Sequence, residues 1–148
     1  MIDIKTLFSY FDSFGFGAII SAVVVTIVKN WLDKNSENKM RIKEKREQQY
    51  KDFLNNLMGF FEGWEDKKMQ KQFIWDMNTN ATISASDEVY RLARNYIDSF
   101  DKKKNVNEEE RQKIYAKIVL TIRNELNKMS GGKDTTLSEN EIKVMKLD

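Results

Sequence analysis

Apolar positions recur at helical intervals along most of this chain. From Tyr50 they fall at steps of three and four, through Phe53, Leu54, Leu57, Met58, Phe61 and Trp64. That spacing makes one face of an amphipathic helix. Met69, Phe73, Ile74 and Met77 prolong it, with Gly59 and Gly63 inside it as a place for a bend or a close approach. Asn78-Thr79-Asn80 interrupts the pattern. Ser84 or Ser86 then caps a second helix with Asp87 and Glu88 in its first turn, where the helix dipole favours carboxylates. Its stripe is Val89, Leu92, Tyr96, Ile97 and Phe100. After the polar connection Asp101-Lys102-Lys103-Lys104-Asn105, Asn107 with Glu108, Glu109 and Glu110 predicts a capping box. The helix it opens carries Ile114, Tyr115, Ile118, Val119, Ile122, Leu126 and Met129, and Gly131-Gly132 ends it. Ser138 with Glu141 predicts a further box, opening a short terminal helix that holds Ile142 and Met145.

The N-terminal pattern differs in kind. Phe14 to Val28 is uncharged, and Leu7, Phe8, Tyr10, Phe11, Trp31 and Leu32 extend it on both sides. With these flanks it reaches the roughly 20 residues a membrane span needs. Tyr10 and Trp31 stand where interfacial aromatic rings belong, and Lys29 can extend its ammonium to the headgroups. The Val/Ile richness also fits a buried helix or a parallel strand of a soluble core. A signal peptide fits less well, because only Lys5 precedes the run and no small-residue cleavage site follows it. The basic residues Lys29, Lys34, Lys39, Arg41, Lys43, Lys45 and Arg46 follow the run, which places the C-terminal side in the cytoplasm by the positive-inside rule. The expected location is the bacterial inner membrane. Residues 1–32 form a tail and a single transmembrane helix, and 33–148 an all-α cytoplasmic bundle whose first part, 33–48, is a charged membrane-proximal helix. Basic residues there also suit anionic headgroups.

Within the membrane segment, Gly17 with Ser21 and Ala18 with Ala22 place small residues four apart, the spacing that lets helix backbones approach in lipid. In an oligomer Ser21 and Thr26 would line a narrow path, with Asp12 as a carboxylate ring at its mouth. The plainer reading of Asp12 is a solvated residue just outside the bilayer. The aromatic and Met-rich core with generous exposed edges also favours a homo-oligomer.

Composition then narrows the chemistry. The 148 residues include no Pro and six Gly, which favours long helices. There is no Cys and no His, so thiolate nucleophiles, disulfides, imidazole catalysis and thiol or imidazole zinc sites are excluded. No Gly-rich phosphate loop or nucleophile motif is present. Glu108, Glu109 and Glu110 are consecutive and splay around their helix, where they serve its dipole. No catalytic, cofactor or metal-ligating residue is nominated, and the expectation is a protein that is not an enzyme and has no cofactor. Net charge is +2, and its distribution tells more than its sum. Arg41, Lys43, Lys45, Arg46 and Lys51 lie beside Tyr50; Lys67, Lys68 and Lys71 beside Trp64 and Trp75; Arg91 and Arg94 beside Tyr90 and Tyr96. Cations with stacking rings are what a nucleotide or single-stranded oligonucleotide site requires. The plainer reading puts the rings in the core and the cations on a solvated surface.

Three stretches together resemble a large group of bacterial membrane-anchored helical proteins. They are the anchor with its basic helix, Ser86-Asp87-Glu88-Val89-Tyr90, and Ile118-Val119-Leu120-Thr121-Ile122-Arg123-Asn124-Glu125-Leu126 followed by Asp134-Thr135-Thr136-Leu137-Ser138. The chain departs from that group at Asn124 and at the inserted Lys128-Met129-Ser130-Gly131. Some proteins of similar architecture are membrane effectors of antiphage systems, whose oligomeric anchors are controlled by a partner enzyme or its nucleotide product. The resemblance therefore implies an oligomeric, pore- or channel-like membrane effector whose bundle answers a nucleotide, an oligonucleotide or a partner protein. A passive anchor or adaptor that recruits a cytoplasmic partner fits the same residues.

Overall fold

The computed structural model of the protein describes residues 16–145, with side chains described from Ala22 onward. Helices and turns make up the fold, with no strand among the described residues. The elements are α1 (Phe16–Leu57), a 3-10 turn (Met58–Phe60), α2 (Lys67–Asn78), α3 (Asn80–Ser84), α4 (Asp87–Asp98), a 3-10 turn (Lys102–Lys104), α5 (Glu108–Met129) and a last 3-10 turn (Glu139–Glu141). The chain forms two compact units, Met1–Arg41 and Ile42–Asp148.

In the first unit the Val/Ile-rich stretch is helical from Phe16, so the strand alternative does not hold there. Among the described residues no helix is long and apolar enough to cross a membrane. The run expected to do so begins at Phe14, and its part before Ala22 lies outside the described side chains. Val23, Val24, Val25, Ile27 and Val28 are each about half exposed or more.

The second unit is an all-α bundle around Tyr50, Phe53 and Leu57 of α1, Phe61, Phe73 and Met77, Ala81, Val89, Ala93 and Tyr96, and Ile118 and Ile122 of α5. All of these except Ala81 and Ala93 lie on the periodic faces read from the sequence, because one apolar stripe per helix is what a bundle buries. Aromatic rings fill its centre. Phe61 meets Tyr115 edge-on at 5.0 Å and Tyr96 at 5.8 Å, and Phe53 meets Phe73 at 4.7 Å.

The apolar pattern that continues from Tyr50 to Met77, with Gly59 and Gly63 as a place for a bend or close approach, is divided between two helices. α1 stops at Leu57, and Gly59 lets the next turn press against the start of α2. A Cβ on Gly59 would lie 2.6 Å from Met69 Cβ and 3.0 Å from the Asp66 carbonyl oxygen. Gly63 takes a positive φ of 83°, which suits glycine alone. Asp66 then caps α2, its carboxylate accepting from the amides of Lys68 and Met69 at 2.8 and 3.0 Å. This interruption shifts the helical phase, so Trp64 and Ile74 come to the surface and not to the core. Gly59→Ala is expected to destabilise the bundle by about 1–3 kcal/mol, because the new methyl meets a neighbouring Cβ and backbone that cannot swing aside. Chemical denaturation followed by circular dichroism measures it, and an unchanged midpoint would contradict the close approach.

The remaining caps follow the sequence closely. Ser86, not Ser84, caps α4, accepting from Val89 N at 3.2 Å. Asn107 and Glu110 form the reciprocal capping box of α5. Ser138 and Glu141 form a second box, yet it opens only the three-residue turn Glu139–Glu141. Ile142 is already extended and Met145 is 88% exposed, so the expected terminal helix is absent among the described residues. The segment after Gly131 is instead pinned to α5 by side-chain amides. Asn124 Oδ1 accepts from Thr135 N at 2.8 Å, and Asn127 Nδ2 donates to the Lys133 carbonyl at 3.1 Å.

Candidate functional site

The most organised polar feature of the bundle is a carboxylate that holds three helices. Glu125 lies on α5 seven residues after Ile118 and three after Ile122, on the same face as these core residues. Its carboxylate accepts from Tyr50 Oη of α1 at 2.5 Å and from Ser86 Oγ at the start of α4. Ser86 uses one hydroxyl for two tasks: it donates to Glu125 and accepts the amide of its own helix. The stretches around Ser86 and around Glu125 therefore meet in space.

Tyr50 is buried, at 4% exposure. Burial raises its phenol above the ordinary value of 10.0, and the hydrogen bond and negative charge of Glu125 raise it further. Tyr50 is thus a neutral donor at physiological pH. The Arg46 guanidinium lies over its ring, 5.8 Å from the centroid.

Beside this clamp α1 faces α2, α3 and the start of α4 across a groove of about 400 Å³, within the size range of small-molecule sites. Its floor is apolar, from Phe53, Ala81, Ala85 and Val89, and the Tyr50 ring closes one side. Its rim is polar. Gln72, Asp76 and Asn80 stand four residues apart along α2 and α3, so they share one edge. Asp76 accepts from Gln72 Nε2 at 3.1 Å and Asn80 Nδ2 at 3.5 Å on one oxygen, and from Asn56 Nδ2 of α1 at 3.3 Å on the other. Asp52 of α1, which accepts from Gln48 at 2.9 Å, completes the rim.

The residues expected to meet an anionic ligand do not converge. Tyr96 is a core residue packed against the Phe61 and Phe100 rings, so it is no stacking platform, and Tyr50 is buried with the Arg46 guanidinium over its ring. Arg41, Lys43 and Lys45 are spread along α1, and only Arg46 reaches the groove. Arg91 and Arg94 are exposed on α4, with Arg91 3.7 Å from Asp87. One cluster does keep a ring: Lys67, Lys68 and Lys71 surround a shallow surface hollow with Trp75, which is 64% exposed. Of the membrane-segment residues, Asp12 lies outside the described residues, and Gly17, Ala18 and Ser21 are helical without described side chains. Ala22 and Thr26 are exposed, and the Thr26 hydroxyl donates to the Ala22 carbonyl at 2.8 Å, so its hydrogen is satisfied within its own helix.

The groove and the clamp were not singled out in the sequence, although each leaves a trace there. A carboxylate at position 125 falls on an otherwise apolar stripe. A Gln-Asp-Asn edge runs at four-residue spacing through positions 72, 76 and 80. The fold and this site define an all-α helical-bundle protein. Compared with protein-family models, with curated proteins and with solved structures, the chain matches none of them.

Proposed function

We propose that this chain is a single-pass, oligomeric membrane effector whose N-terminal helix lies in the bilayer and whose helical bundle receives a ligand or a partner protein. One observation carries the reading. Over more than half of the circumference of α1 between Val23 and Leu32, apolar side chains find no cover among the described residues: Val25 is 63% exposed, Ile27 61% and Trp31 65%, while Thr26, Lys29 and Asn30 take the remaining side. So wide an uncovered apolar face calls for lipid or other helices as its surroundings. The same helix ends in Tyr50, Phe53 and Leu57, which are core residues of the bundle. Oligomerisation through Gly17, Ala18, Ser21 and Ala22 is the part of the proposal that turns an anchor into a pore.

The test is expression in bacteria with a membrane-potential dye, coupled to carbonate washing of the membranes. The chain is expected to stay with the washed membranes and to depolarise the cells. Ser21→Leu or Gly17→Leu is expected to abolish depolarisation while leaving the chain in the membrane fraction. Recovery of the chain in the wash overturns the membrane reading. Depolarisation that survives both bulky variants overturns the pore. Full function with an unrelated membrane helix in place of residues 1–32 identifies a passive anchor or adaptor.

A further inference from the structure

We infer that the groove between α1 and the α2–α3–α4 edge is a binding site for a small organic cation, an ammonium group on an apolar body. The floor supplies the apolar contact, through Phe53, Ala81, Ala85 and Val89. The rim supplies the charge. Asp76 is half-buried and holds three hydrogen bonds, all from neutral amides. Among the described residues neither Asp76 nor Asp52 forms an ion pair. Neutral donors orient a carboxylate without neutralising it, so its negative charge remains directed at the groove. Arg46 is the one cation on the lining, and it lies over the Tyr50 ring. Against Asp52 and Asp76 it leaves the groove with an excess of one negative charge. The amide side chains fix the carboxylate in place, which lowers the ordering cost of binding.

Other occupants fit less well. A nucleotide would bring its phosphates to a carboxylate rim. A bare metal ion wants several converging ligands, and no group of three or more acidic side chains among the described residues is placed to hold one. An ammonium group needs only one or two carboxylate oxygens and an apolar cleft for the rest of the molecule.

This inference supplies the ligand class for the receiving bundle and rests on the proposed reading for its biological role alone. Binding is measured directly, so its failure leaves the membrane assays untouched, and theirs leaves it untouched. The full chain in phospholipid nanodiscs is titrated at neutral pH with three probes of one shape: 2-phenylethylammonium, 2-phenylethanol and phenylacetate. Empty nanodiscs supply the blank. The ammonium probe is expected to bind at least about tenfold more tightly than the alcohol, and phenylacetate more weakly than either. Asp76→Asn is expected to erase the advantage of the ammonium over the alcohol while leaving alcohol binding in place, which reports an intact groove. Asn80→Lys, at an exposed position, puts a cation beside Asp76 and is expected to erase the same advantage without touching the core. Equal affinity for ammonium and alcohol overturns the proposal. So does no binding of any probe, a preference for phenylacetate, or an ammonium advantage that survives both substitutions.

Discussion

Phe61→Ala is expected to lower the unfolding free energy of the bundle by about 3–5 kcal/mol, the usual cost of emptying a fully buried aromatic site. Phe61 has no exposed surface. It follows the turn between α1 and α2, and it contacts the Tyr96 ring of α4 and the Tyr115 ring of α5. Truncation therefore opens a cavity where several elements meet. The turn cannot collapse into that space, because Gly59 is already in close contact with Met69 and Asp66 on its other side. Relaxation is small and the full penalty is felt. Chemical denaturation of the full chain in mild detergent measures the loss. Trp64→Ala is the control, since Trp64 is 47% exposed and should cost under about 1 kcal/mol. Equal effects at the two positions would mean that the break between α1 and α2 is misplaced.

The second large effect belongs to Glu125. Glu125→Ala removes the acceptor of two hydroxyl donors, Tyr50 and Ser86, that belong to different helices. Hydrogen bonds to a charged acceptor contribute about 1.5–3 kcal/mol each, and Glu125 is only half-buried, so we expect a loss of about 2–4 kcal/mol in total. The Tyr50 hydroxyl would then be held in a buried position without its acceptor. Glu125→Gln keeps an acceptor oxygen and should lose about half as much. A double-mutant cycle with Tyr50→Phe separates the pair from general damage, with an expected coupling of about 1–2 kcal/mol. Additive effects would show that the clamp is geometric coincidence. The consequence reaches beyond stability. Tyr50 forms one wall of the groove, so loosening the clamp frees the wall against which a ligand would rest.

Local chemistry alone determined a good deal here. Helical spacing from Val89 to Phe100 and from Ile114 to Leu126 marked the elements that became α4 and α5. Asn107 with Glu110 marked the start of α5, and Gly131 marked its end. These signals are readable because a cap or an amphipathic stripe depends on residues within four positions of one another. The absence of His and Cys likewise removes thiol and imidazole catalysis. The stripe continuing to Met77 was misleading for the opposite reason. Whether Gly59 bends a helix or ends it depends on what packs against it, and that contact comes from Met69 in the next helix. The Ser138 box was read correctly, but not its consequence: a cap begins a turn, and only burial of a following apolar face extends it into a helix.

Site residues divided along the same line. The basic and aromatic residues were visible as neighbours in the chain, yet packing sent Tyr50 and Tyr96 inward and left Trp75 outside with its lysines. Glu125, Ser86 and Tyr50 lie up to 75 positions apart, and Asp52, Asp76 and Val89 share a groove only once α1 lies against α2, α3 and α4. Sequence thus determined most of the helical segments, several of their starts and the absence of thiol and imidazole chemistry, because those properties are short-range. Tertiary structure alone decided which carboxylate joins three helices and which faces a cavity. Those depend on long-range packing, which brings together side chains that no local spacing relates.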